Sequence, residues 1–68
     1  MKDIAMLRRK QVERITGLSR SSIYCMMEKN EFPRPIKLSE RSVAWVYDEI
    51  QAWLNDKITS SRRFALNE

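Results

Sequence analysis

Ser19, Arg20, Ser21, Ser22 and Tyr24 crowd the segment that follows Gly17-Leu18, and Gly17 is the only glycine in the chain. Hydroxyls donate to phosphate oxygens, an arginine fork matches a guanine edge or a phosphate, and a phenol serves either purpose. Further cations flank this cluster: Arg8, Arg9, Lys10 and Arg14 upstream, and Arg34, Lys37 and Arg41 downstream. The chemistry these types offer is reversible binding of a polyanion, with no bond made or broken.

Composition supports binding over catalysis. The 68 residues carry 13 Lys and Arg against 9 Asp and Glu, a net charge of +4 that favours a nucleic-acid partner. Histidine is absent and Cys25 is the single cysteine, so the usual zinc-ligand sets, histidine-based catalytic groupings and an intrachain disulfide all drop out. The expectation is a non-enzyme without metal or cofactor. A chain this short buries only about 60% of its unfolded surface, enough for one compact core but not for a deep cleft. No apolar run approaches the roughly 18 residues of a membrane span, and the N-terminus lacks a signal-peptide pattern, so the expected location is the cytoplasm, with no membrane partner.

The elements that must position these groups read as follows. Val12, Ile15 and Leu18 recur every three residues and mark an apolar stripe on a short helix from about Arg9 to Thr16, with no capping residue evident at its start. Met6-Leu7-Arg8 leads into it as a short extended segment. Gly17 can take the positive φ that ends that helix, and Ser19 can cap the next. Leu18 and Ile23 then occupy the two positions of a hydrophobic staple. The second helix, residues 20–29, places Ile23, Met26 and Met27 toward the core and Arg20, Ser21, Tyr24, Cys25 and Glu28 on the other side. It should stop at Lys29-Asn30, because asparagine tolerates a left-handed cap and Phe32-Pro33 resists extension. Helix, tight turn, helix is the arrangement of a major-groove reader.

Two β-prone runs, 32–38 and 42–46, are separated by Ser39-Glu40-Arg41 and suggest a hairpin, its prolines confining the first run to an edge. Such a hairpin is marginal alone, so Ile36 and Leu38 are expected to face the helices, while Arg34, Lys37 and Arg41 lie along a backbone or minor groove as a wing. A third helix from about Tyr47 to Lys57 buries Tyr47, Ile50, Trp53 and Leu54, with Asp48 and Glu49 in its first turn, where the dipole favours them. Trp45 and Trp53 read as core anchors. The domain thus occupies residues 1–59, and the basic stretch 60–68 lacks periodicity and reads as a flexible tail.

Together Gly17-Leu18-Ser19-Arg20-Ser21-Ser22-Ile23-Tyr24, Glu31 to Leu38, Ala44-Trp45-Val46, Glu49-Ile50 and Trp53-Leu54 resemble the AlpA family of short phage-derived transcriptional regulators across roughly residues 6 to 58. The resemblance implies a mainly α winged helix-turn-helix of the MerR and excisionase type, with three helices and a two-stranded wing. It also implies that Ser19, Arg20, Ser21, Ser22 and Tyr24 belong to the recognition helix, and Lys37 and Arg41 to the wing. Two positions depart from the family pattern: Ser39-Glu40 stands where the wing turn commonly has glycine, and Cys25 where a basic residue is frequent.

The leading expectation is a sequence-specific, prophage-type transcriptional regulator that reads the major groove of double-stranded DNA with helix 20–29 and touches backbone or minor groove with the 34–45 wing. An excisionase-like factor that bends DNA for site-specific recombination uses the same fold, and a protein-interaction module without DNA binding is the reading from another class. A single module covers only about 600–1,000 Å² of protein surface on DNA, so several copies are expected, as a homodimer or as cooperative neighbours.

Overall fold

The computed structural model describes the backbone of residues 3–66 and the side chains of residues 3–63. In chain order the elements are β1 (Met6–Leu7), α1 (Arg9–Thr16), α2 (Arg20–Glu28), β2 (Ile36–Ser39), β3 (Ser42–Val46) and α3 (Tyr47–Leu66). The strands form one antiparallel sheet in the order β1-β3-β2, so the expected two-stranded hairpin gains a third member from the extended segment before α1. Met6 pairs with Val46 and Leu7 with Trp45, which ties the N-terminal segment to the middle of the domain.

Both ends of α1 are closed locally. The Arg8 amide donates to Gln11 Oε1 at 2.8 Å, so a glutamine at the third helical position supplies the cap that no residue before the helix provides. At the other end Gly17 has φ +76° and its amide donates to the Glu13 carbonyl at 2.8 Å. A Cβ on Gly17 would meet nothing within 4 Å, so the left-handed backbone, and not space, is what requires glycine here. Helix α2 begins as expected: Ser19 Oγ accepts the Ser22 amide at 3.1 Å. It ends on Asn30 at φ +59°, where Asn30 donates to the Met27 carbonyl and Glu31 to that of Met26, the paired bonds of a Schellman cap.

Leu7, Val12, Ile23, Phe32, Trp45 and Ile50 make the core, and Leu18, Met26, Met27, Trp53 and Leu54 pack around them. Each element except β2 contributes to this cluster. Val12, Ile23, Trp45 and Ile50 are wholly buried, and truncating any one of them to alanine removes contacts that a core of this size cannot replace. No buried side-chain nitrogen or oxygen among the described residues lacks a hydrogen-bond partner.

Three expectations about packing are corrected. Ile36 and Leu38 do not face the helices: they are 46% and 53% exposed, because α1 and α3 pack on the central strand β3 and leave the edge strand β2 projecting past the core. Tyr47 and Ile15 fall at the rims of their helical stripes and are exposed as well. The third helix does not stop near Lys57 but runs through Leu66, so residues 60–66, read from sequence as tail, are helical; residues 67 and 68 lie outside the described part. No glycine or proline interrupts that stretch, and once the first half of α3 is docked each added residue gains one backbone bond. Arg63 in the last turn also suits the helix dipole.

Candidate nucleic-acid interface

Helix α2 has one wall against the core, formed by Ile23 with Met26 and Met27 at its edges, and its remaining surface is open. Ser21 and Cys25 stand one turn apart, directly opposite Ile23, and are exposed. Arg20 and Tyr24 form the next row. The Arg20 guanidinium carbon lies 5.8 Å from the centre of the Tyr24 ring, a cation–π arrangement that holds both side chains outward. The spacing places Cys25 on the polar side of the helix; its central place on the outward face is visible only once α2 is oriented on its core.

The serines divide by duty. Ser19 Oγ accepts the Ser22 amide and donates to Ser22 Oγ at 3.0 Å, so its hydroxyl is spent on the cap. Ser22 accepts that bond and keeps its own proton for an outside acceptor. Ser21 makes no hydrogen bond through its side chain among the described residues and is exposed. The Ile23 amide bonds to the Ser19 carbonyl, which leaves the Arg20 and Ser21 amides as the first-turn donors without a partner inside the helix. A phosphate seated there would meet two amides and a hydroxyl.

Around this helix the cations sit in two groups. On α1, Arg9, Lys10, Glu13, Arg14 and Leu18 line an open groove of about 460 Å³. Arg9 pairs with Glu13 at 3.0 Å, a partly exposed i,i+4 contact worth at most about 0.5 kcal/mol. On the wing, Lys37 in β2 and Arg41 in the turn Glu40–Arg41 are exposed. Lys37 stands opposite Val43, while a bulge between Lys37 and Ser39 breaks the register near the tip. The acidic Glu40 beside Arg41 weakens the tip as a phosphate contact.

Arg34 also bonds within the chain. It precedes β2 and its Nη2 donates both to the Met27 carbonyl at 3.1 Å and to Asn30 Oδ1 at 2.9 Å, so it closes the end of α2. The sequence placed it with the wing cations because its charge is legible and its partner is not. Next to it, the connector from α2 to the wing is pinned by both tryptophans: Trp53 Nε1 donates to the Glu31 carbonyl at 2.8 Å and Trp45 Nε1 to the Pro33 carbonyl at 3.0 Å. Between them Phe32 is buried and meets Trp53 edge-to-face, ring centres 4.8 Å apart. These contacts set the wing at a defined angle to α2.

A capped helix with an exposed face, a basic groove lined largely from α1 and a β-hairpin are the parts of a winged helix-turn-helix. The sequence matches the family described as "Prophage CP4-57 regulatory protein (AlpA)" over residues 5–58. The chain belongs to the AlpA family. It is also 40% identical over 57 residues to the uncharacterized protein ORF88 of Enterobacteria phage P4, a stretch covering 84% of this chain and 65% of the phage protein. The AlpA match spans all six elements except the far end of α3. AlpA is a regulatory family. No described helix is long and apolar enough to cross a membrane.

Proposed function

We propose that this AlpA-family chain is a sequence-specific DNA-binding regulator of prophage type, with α2 in the major groove and the wing on the backbone or minor groove. One observation carries the reading: α2 turns the rows Arg20/Tyr24 and Ser21/Cys25 away from the core, in a chain whose α1 and wing both carry exposed cations. Arg20 is the first choice for a base-edge contact, with Tyr24 and Ser21 beside it. Ser22 and the Arg20 and Ser21 amides take phosphate, and Arg9, Lys10, Lys37 and Arg41 extend the contact along the backbone. Ser19 and Arg34 contribute by holding α2 in shape. The kinship to a phage P4 protein and membership of a prophage regulatory family support a regulatory, phage-linked role.

Selection of bound duplexes from a random pool tests this directly, followed by mobility shift of the selected site against random DNA at physiological salt. A consensus that binds at least a hundredfold above random DNA is the expected result. Equal affinity for the two would overturn the reading. The footprint on the selected site also gives the number of copies bound, for which a homodimer or cooperative neighbours is the proposal.

A further inference from the structure

The outward side of α2 carries a second hollow, which charge and hydrogen bonding leave unexplained. It is open, about 400 Å³, and lined by Leu18, Ser21, Ser22, Cys25 and Met26. Of these, Leu18, Ser22 and Met26 are partly buried, and Ser21 and Cys25 are exposed. The surface is mostly carbon and sulfur, and it lies on the flank of α2 away from Arg20 and Tyr24, bounded by the Ser21/Cys25 row. Leu18 also borders the basic groove of Arg9, Lys10 and Arg14, so the hollow and the cationic row abut.

We infer that this hollow is a specificity pocket for the C5-methyl group of thymine, with Cys25 its determining residue. The inference rests on the reading that α2 enters the major groove. There the one apolar group that base edges present is the thymine methyl, which stands next to the acceptor edge that Arg20 and Ser21 address. A phosphate chain lying on Arg9, Lys10 and Arg14 would bring the adjoining bases over Leu18, and the charge of that row favours this occupant over an apolar peptide. A thiol is small, weakly polar and polarizable, suited to contact with a methyl, whereas a long side chain at this position would fill the hollow. Thymine recognition would therefore be a property of this chain's own residue at position 25.

The test uses the full chain and a duplex selected from a random pool, with each thymine replaced in turn by uracil, which removes only the methyl. At one or two positions the affinity should fall about fourfold, the loss of one buried methyl. In Cys25→Ser the same replacement should change affinity by less than twofold, and since Cys25 is exposed the variant keeps its fold, checked by thermal melting. Thymine and uracil duplexes bound equally well, or a consensus without thymine, would overturn the pocket while leaving DNA reading intact. Failure to prefer any duplex over random DNA would remove the reading underneath it as well. If an acidic amphipathic peptide moves the Cys25 and Met26 resonances while duplex does not, the hollow belongs to a polypeptide and the inference falls.

Discussion

Trp53 Nε1 reaches the carbonyl of Glu31, 22 residues earlier in the chain, at 2.8 Å. That bond joins the third helix to the exit of the second, and Phe32 is packed against the same indole. The orientation of α2 relative to the wing therefore depends on a helix that itself carries none of the proposed DNA contacts.

Trp53→Phe keeps most of the apolar contact but leaves the Glu31 carbonyl without its donor. Stability should fall by about 1–2 kcal/mol, measured by urea unfolding. Trp45→Phe removes the bond to Pro33 at a wholly buried site and should cost more, about 2–3 kcal/mol, since the carbonyl there has less access to water. Equal and negligible losses would show that the indole bonds do not hold the connector.

Gly17→Ala should destabilise by about 1–2 kcal/mol although the site is open, because the cost is left-handed backbone and not collision. Gly17→Asn should recover part of that loss, asparagine being more tolerant of this conformation. Thermal melting of the two variants checks the order.

Arg34→Ala and Lys37→Ala separate two kinds of cation. The first should lower stability by about 1 kcal/mol through the loss of its bonds to Met27 and Asn30, with little change in the salt dependence of DNA binding. The second should leave stability unchanged and reduce the slope of log affinity against log salt by about 0.9. Titrations between low and physiological salt read both, and reversed behaviour would return Arg34 to the wing contacts.

Arg20→Ala should weaken binding to the selected duplex by about 1–3 kcal/mol and relax preference at one base position. Affinity for random DNA should fall far less. A uniform loss on both would make Arg20 a phosphate contact.

Ile23→Ala empties a wholly buried site at the centre of the core and should cost about 2–5 kcal/mol, enough to unfold much of a domain this small at 37 °C. Circular dichroism melting measures it.

How far the residues alone disclosed this molecule depends on the range of the signal. The turn at Gly17, the Ser19 cap and the stop at Asn30 are local, each written within four residues, and all are found where the sequence places them. Likewise Ile23, Trp45 and Ile50 are buried. What escaped was set by distance or by absence. The exposure of Ile36 and Leu38 follows from which strand the helices cover, and alternation within β2 does not encode that. Arg34 and Trp53 find partners that pattern cannot reveal, Trp53 at a separation of 22 residues. The extension of α3 to Leu66 was missed because helix without an apolar stripe has no periodicity to detect, although nothing in its composition forbids it. Gln11 as the cap of α1 was within reach, since a glutamine at the third position is itself a start signal.

Ser21 and Cys25 touch solvent on the side of α2 directly opposite the buried Ile23. Substitutions at such positions typically alter folding free energy by no more than about 0.5 kcal/mol. If α2 reads DNA as proposed, a lineage can drift through many side chains at these two places, and acquire new operators, without approaching the threshold at which the domain ceases to fold. Divergence in target and persistence of architecture then rest on separate sets of atoms.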